Sequence, residues 1–358
     1  MRRHRLLNGA CGVPHNVRLS MPGTGSGPRI VAASRARKAL LVILASIGAL
    51  LTPWGAVAQD YPQRPVRLVI PFSAGFTDTF GRVLAVFLGE RLGQNVVTEN
   101  RAGAGGAVGA NVVAHAAPDG YTLLLGSAST FGLTAGEAKR LPYDPEKDLV
   151  PVAMLARGAN VFVVHPTVKA GSMMALIEYA RAYPGKIRYC SAGIGSNAHL
   201  NGALLAHRYG IEIQHVPYKG GSAGVVDLIS GQIEMCISGT PTGAPYVKAG
   251  KMRALAVTSA ARTPLMPGVP TMAEAGIPDF VHGPLFVVLA PAGTRADITA
   301  RLARELVAIS RQPAFQGRLV EIGAEAVEPL TEEALRHYLR GEVQRSREMA
   351  AMAGLKDE

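Results

Sequence analysis

Five short segments of this chain share a composition suited to holding an anion. They are residues 73–78 (Ser-Ala-Gly-Phe-Thr-Asp), 127–130 (Ser-Ala-Ser-Thr), 191–196 (Ser-Ala-Gly-Ile-Gly-Ser), 218–222 (Tyr-Lys-Gly-Gly-Ser) and 238–242 (Ser-Gly-Thr-Pro-Thr). Each follows an apolar run of strand length and precedes a helix-like pattern or a small-residue stretch. Small residues let a ligand approach the backbone, hydroxyls donate and accept, and a helix start presents unpaired N–H groups at the positive end of its dipole. In open α/β sheets ligands bind beyond the carboxyl ends of the strands, where such segments lie. One loop of this kind is ordinarily a packing turn; five in one chain favour binding. The candidate ligand residues are Ser73, Gly75, Phe76, Thr77, Asp78, Ser127, Ser129, Ser191, Gly193, Ser196, Tyr218, Gly221 and Ser238. Thr77 and Asp78 are placed to cap the helix that follows, and Asp78 is assigned that role rather than contact with an anion, since two negative charges repel. A helix terminus contributes ~0.3–1 kcal/mol and a charge-assisted hydrogen bond ~1.5–3 kcal/mol. Three or four such contacts, less immobilisation costs, reach the ~8 kcal/mol of micromolar affinity.

Competing chemistries are weaker. Gly220-Gly221-Ser222-Ala223-Gly224 matches G-x-S-x-G between a strand and a helix, as a nucleophile elbow would. Asp279 and His282 are available as acid and base, but they stand too close together for the usual separate loops, and no HGGG-like stretch is present. Serine hydrolysis is therefore the minor alternative, and no enzyme activity is expected. The glycines of 103–109 do not have G-x-G-x-x-G spacing, and no acid follows at the right distance, so a dinucleotide is not expected. The nine histidines form no H-E-x-x-H and no Cys/His cluster, so neither metal nor other cofactor is expected. His199, just after Ser196, either reaches the cleft or packs against its neighbours; Lys219 is read as a solvated lysine rather than a counter-ion.

The elements that would position these residues alternate between strand and helix patterns. The opening unit, 65–93, has an apolar strand run at 66–72 and a helix with Phe80, Val83, Leu84, Phe87, Leu88 and Leu92 on one face, stopped by Gly93. Further strand–loop–helix units follow through about residue 258. A proline-rich connector at 264–278 then leads to an apolar strand at 285–290. Thr294-x-x-Asp297 reads as a capping box, and Thr331 starts a last helix. This alternation predicts parallel sheets covered by helices, in two α/β lobes. The first comprises 59–158 and 259–358, and the second, 159–258, is inserted, with crossings near 157–161 and 257–262.

The 358 residues allow two ordinary domains, and 41 Gly, 24 Pro and 6% aromatic content suit a loop-rich α/β protein. The formal charge is +11, but residues 1–58 hold eight Arg/Lys and no acid, leaving +3 for the remainder. A nucleic-acid surface would need that charge on the folded body, and no nucleic-acid partner is expected. Residues 1–58 have a secretory layout: Arg35, Arg37 and Lys38 precede an apolar run at 39–51, and Ala56-Val57-Ala58 gives a small-x-small site with cleavage expected after Ala58. Thirteen residues fall short of the roughly 20 that span a bilayer. Met1 and Met21 both remain as start positions. Cys11 lies in this leader; Cys190 and Cys236 either pair after export or stay as buried thiols, and the sequence leaves that open.

Over about 300 residues the chain resembles the solute-binding receptors of tripartite tricarboxylate transporters, the Bug family. The likeness rests on ordered landmarks. They include Glu99-Asn100-Arg101-Ala102-Gly103-Ala104-Gly105-Gly106, Ala117-Pro118-Asp119-Gly120-Tyr121, Leu141-Pro142-Tyr143-Asp144, Val216-Pro217-Tyr218-Lys219-Gly220-Gly221 and Ala290-Pro291-Ala292-Gly293-Thr294. The resemblance implies a type II periplasmic-binding-protein fold: two doubly wound lobes, joined by a two-crossing hinge, that close on a small carboxylated solute. It implies a monomer in the periplasm that delivers the solute to membrane transporter subunits; presentation to a sensor kinase is the alternative. Three positions depart from the family's usual pattern. Phe76 stands where a second glycine is usual, in a first loop one residue shorter. Ser238-Gly239 replaces a frequent acid or amide, and Leu285 a frequent tryptophan. A phenyl ring at 76 is expected to narrow the cleft.

Overall fold

A computed structural model of the chain describes residues 61–126 and 141–352. The chain divides into 1–59 and 60–358, and only the second unit is described below. The proposed leader, its cleavage site, Ser127 and Ser129 lie outside the described residues.

Two sheets carry the fold. The first has the order β11-β4-β10-β3-β1-β2. Its strands are β1 (Val66–Ile70), β2 (Val96–Asn100), β3 (Thr122–Gly126), β4 (Leu149–Gly158), β10 (Leu285–Pro291) and β11 (Ala324–Ala326). Strands β1, β2 and β3 are parallel, as expected where helices supply the crossovers, and β10 runs antiparallel between β3 and β4. The second sheet has the order β7-β6-β8-β5-β9, with β5 (Asn160–Val164), β6 (Ile187–Ser191), β7 (Ile213–Pro217), β8 (Met235–Gly239) and β9 (Arg253–Val257). Here β6 is parallel to β7 and β8, and β5 is antiparallel to β8 and β9. Strand β4 hands over to β5 through the single residue Ala159, and the chain returns to the first sheet between Val257 and Leu285.

Both faces of both sheets are covered, which is why the central strands read as unbroken apolar runs. On the first sheet, α1 (Phe76–Leu92), α7 (Ala296–Ser310) and α8 (Pro313–Glu321) bury Phe80, Leu84, Leu302, Leu306 and Phe315 on one face. On the other face, α2 (Ala107–Ala114) and α9 (Glu332–Met352) bury Val113, Leu335, Leu339 and Val343. On the second sheet, α3 (Met173–Ala182) and α4 (Asn197–Tyr209) cover one face, and α5 (Gly221–Ile229) and α6 (Thr240–Lys248) cover the other. Helix α9 then runs on so that Met349 and Ala350 pack with Leu200 of α4. Among the described residues no helix is long and apolar enough to cross a membrane.

Several local expectations are corrected. Helix α1 begins at Phe76 with Gly75 at its N-cap and no side-chain cap, so Thr77 and Asp78 fall inside the first turn and cannot cap it. Asp78 instead accepts from Arg82 and from Asn100, whose Nδ2 also donates to Phe72 O at 2.8 Å. The Thr294–Asp297 capping box does not form, because α7 starts at Ala296 with Arg295 at its N-cap. Thr294 Oγ1 donates to Pro291 O, and Asp297 pairs with Arg295. Thr331 does cap the last helix, accepting from Ala334 N. Cys190 and Cys236 are paired neighbours on β6 and β8 and form a disulfide, which settles the alternative left open by the sequence. Leu285 is a buried core residue.

Candidate functional site

Between the two sheets lies a cavity lined by segments of both lobes and by both crossings. The first lobe supplies Phe72, Ser73, Gly75, Phe76 and Thr77; the second supplies Ala192, Ser196, Asn197, Ala198, Gly221, Ile237, Ser238, Gly239 and Thr242. Asn160, Gly283 and Pro284 line it where the chain passes between the sheets. Four of the five anticipated segments therefore share one cavity, and the fifth, 127–130, lies outside the described residues.

The site is built from strand ends and helix starts. Strand β1 ends at Ile70, and the backbone turns through Gly75 at φ 156° and ψ −163°, a region open to glycine alone, before α1 begins. Opposite it, α5 begins at Gly221 after Gly220, again without a side-chain cap, and α6 begins at Thr240 directly after Gly239, likewise uncapped. Helix α4 differs: Ser196 caps it by accepting from His199 N. Three helix starts thus lack a side-chain cap beside the cavity, although at α6 Thr240 N donates to Ala159 O at 3.1 Å and Pro241 has no N–H. Two of them face each other across the lobes, since a Cβ built on Gly75 would stand 3.7 Å from the Gly221 nitrogen.

The lobes are latched there by three hydrogen bonds. Ser73 donates to Lys219 O from its backbone N at 3.3 Å and from Oγ at 3.0 Å, and Ser222 Oγ donates to Ala74 O at 3.0 Å. It is the backbone carbonyl of Lys219 that is used. Ser222, the candidate nucleophile, is engaged in this latch, whereas His282 lines a separate cavity behind the hinge with Arg157, Tyr338 and Arg345. The glycine-rich turn after β2 meets the second lobe as well: a Cβ on Gly193 would lie 3.4 Å from Gly105 N.

Of the anticipated residues, Ser73, Gly75, Phe76, Thr77, Ser196, Gly221 and Ser238 line the cavity. Asp78, Ser191, Gly193 and Tyr218 do not. Tyr218 donates to Asp227 at 2.5 Å, and burial, with that bond second, pushes its hydroxyl up to about 12. Ser191 is fully buried one layer behind the wall; its Oγ lies 2.6 Å from His215 Nε2 and accepts from Gly193 N. His199 takes the packed alternative. Its Nδ1 accepts from Gly195 N at 3.0 Å, and its ring stacks on His215 with centroids 3.8 Å apart. Burial holds His199 down at about 4 and His215, with His199 as second cause, at about 3, so both rings are neutral near pH 7. This pair clamps the 191–196 loop from beneath.

Among the described residues the wall contains no charged side chain. Ser238 is 2% exposed and its Oγ has no hydrogen-bond partner among the described residues, an expensive arrangement unless a ligand supplies one. Asn160, Asn197, Gly283 and Pro284 were not anticipated, because they come from the crossings and from inside a helix rather than from strand-end loops. Asn160 Nδ2 donates to Asn197 Oδ1, and Asn197 Nδ2 donates to Gly283 O at 3.4 Å, tying both crossings to α4. The one available signal was a lone amide, Asn160, ahead of an apolar run. Among the described residues no cluster of His, Cys, Asp or Glu is arranged to hold a metal.

Comparison with known proteins agrees with this geometry. A sequence profile described as "Tripartite tricarboxylate transporter family receptor" matches residues 80–355. Protein BugT of Bordetella pertussis is 39% identical over 313 residues, covering 85% of this chain and 94% of that protein. Among solved structures, R. palustris Rpa4515 with adipate has a TM-score of 0.77 at 35% identity, covering 82% of this chain and 99% of that one. MatC from Rhodopseudomonas palustris with bound malate has a TM-score of 0.75 at 30% identity, covering 81% and 99%. With a two-sheet binding-protein fold, a cavity between the sheets and matches spanning most of its length, the chain belongs to the tripartite tricarboxylate transporter receptor family.

Proposed function

We propose that this protein is a periplasmic receptor that closes its two lobes on a small carboxylate, held by backbone N–H groups and hydroxyls rather than by a basic side chain, and hands it to a membrane transporter. The observation that carries the reading is the meeting of the α1 and α5 starts at a cavity whose wall bears no charge among the described residues. The ligand residues proposed are Ser73, Gly75, Thr77, Ser196, Gly221, Ser238 and the neighbouring Asn160 and Thr242. Adipate and malate in the solved relatives support the ligand class. Delivery to transporter subunits is supported by family membership, and export with cleavage after Ala58 by the pattern of residues 35–58. The two chain crossings, at Ala159 and between Val257 and Leu285, are proposed as the hinge between 59–158 with 259–358 and the inserted 159–258.

The test is a thermal-shift screen of the mature protein against mono-, di- and tricarboxylates, amino acids and aromatic acids. A bound carboxylate at ~100 times Kd stabilises the protein by ~2.7 kcal/mol, which such a screen resolves. Scattering on the same samples should show a smaller radius with the hit than without it. A screen in which only cationic or uncharged compounds stabilise the protein would refute the reading.

A further inference from the structure

Phe76 belongs to the first lobe, yet its ring is seated between the lobes. It is 6% exposed and lines the cavity. A Cβ built on Gly158, at the end of β4, would lie 2.2 Å from Phe76 Cε1. One built on Gly239, in the second lobe, would lie 2.6 Å from Phe76 Cβ and 2.8 Å from Cδ1. Neither glycine is demanded by its backbone: Gly239 has φ −60° and ψ 141°, which any residue adopts, and Gly158 has no left-handed φ. Their missing side chains are what make room for the ring. On its inner side Phe76 meets Phe286 edge-on at 5.0 Å, and Phe286 stacks on Phe80 at 4.0 Å, so the ring is anchored in the first lobe's core.

From this geometry we infer that Phe76 is an aromatic plug that sets the length of the ligand, holding the receptor to carboxylates shorter than the cleft would take without the ring. The cavity left beside the ring has a volume of about 80 Å³. The ring fills space at the end of this cavity that a longer ligand chain would otherwise occupy, so its removal lengthens the site. Among the described residues the wall offers a buried ammonium group no carboxylate. The inference rests on the carboxylate reading above for the chemical class, and on the packing alone for the plug.

Two experiments separate those supports. In the first, the mature wild-type protein and Phe76→Gly are titrated by calorimetry with acetate, propionate, malonate, succinate, glutarate and adipate. The wild type is expected to bind an acid shorter than adipate best and adipate more weakly. In Phe76→Gly the optimum moves to longer diacids, by roughly fourfold for each methylene newly buried. Equal chain-length profiles for the two proteins overturn the plug. A wild type that prefers adipate overturns it as well. A wild type that binds none of the six overturns the ligand class, and the second experiment then decides the plug. It is a ligand-free double-mutant cycle read by thermal unfolding. Gly239→Ala alone is expected to lower Tm by about 3–8 °C through overpacking, and in the Phe76→Gly background to leave Tm within about 2 °C. Additive effects across the cycle overturn the plug even if one single variant folds poorly.

Discussion

Replacing His199 by asparagine should flatten the acid limb of this protein's stability curve by about 2–3 kcal/mol. His199 is 5% exposed, stacks on His215 and accepts a hydrogen bond from Gly195 N through Nδ1, so its ring proton sits on Nε2. Burial holds the ring at about 4, against an ordinary 6.5. Between these values the unfolded chain takes up a proton that the folded chain refuses, so stability falls as pH drops. The contribution is fully present above about pH 6.5 and is lost as pH falls toward 4. At ~1.4 kcal/mol per pH unit, the window from 6.5 to 4.5 costs the wild type ~2–3 kcal/mol from this one group. His215 adds to the slope, discounted because it is only half-buried and shares the environment of His199. Asparagine places an amide oxygen near the position of Nδ1, can accept the same bond and does not titrate. Urea unfolding at half-unit steps from pH 7.5 to 4.5 reads the difference in slope, and the smaller side chain contributes a pH-independent offset. Parallel curves for wild type and His199→Asn would show that the histidine pair is not what makes the 191–196 loop acid-sensitive.

Three further outcomes follow from the same structure. Ser238→Ala should weaken carboxylate binding by roughly tenfold or more while leaving Tm unchanged or raised, because it removes an orphan hydroxyl that only a ligand satisfies; calorimetry and thermal unfolding on one preparation check both halves. Replacing Cys190 and Cys236 together by alanine should cost about 4 kcal/mol in chemical unfolding, from the 46-residue separation that the bridge closes, and mass spectrometry should find the native pair oxidised. Ser222→Ala should loosen binding by about two- to tenfold through the lost bond to Ala74 O, and a fluorophosphonate should leave the wild-type serine unlabelled; labelling would revive the hydrolase alternative.

The strand-end loops were readable because their signal is local: an apolar run, two or three small residues, then a helix pattern. That signal located Ser73, Gly75, Phe76, Ser196, Gly221 and Ser238 beside one cavity. It overreached at Ser191, Gly193 and Tyr218, which share the composition but sit one layer back, because composition does not say which side of a loop faces the ligand. It missed Asn160, Asn197 and Pro284, whose place in the wall depends on how two lobes meet, a long-range fact with no local trace. Helix starts were displaced at α1 and α7 because backbone geometry, not the nearest capping residue, fixed the first turn: Gly75 and Arg295 stand at N-cap without side-chain caps. Helix α8 and the three-residue β11 carried too few periodic apolar positions, Phe315 and Leu319 on the helix, to stand out.

On the proposed carboxylate reading, the two facing helix starts would make closure depend on the anion. Partial charges of about +0.5 at each terminus, ~5 Å apart at an effective dielectric of ~20, repel by ~0.8 kcal/mol. Against that stand the bonds from Ser73 and Ser222 to the opposite lobe, each contributing ~0.5–1.5 kcal/mol net, and the ordering cost of two loops. These terms are similar in size and opposite in sign, so the closed form of the protein alone is close to balance. A carboxylate ~4 Å from a terminus gains ~2 kcal/mol at the same dielectric, and the second such term, present only in the closed form, shifts an even mixture to roughly 30:1 closed. A basic side chain in that position would have neutralised the ligand but left one lobe carrying the charge whether open or closed. Sharing the anion between two backbone termini would tie the favourable term to the approach of the lobes, so on this reading the same contact that binds the solute would also shut the receptor around it.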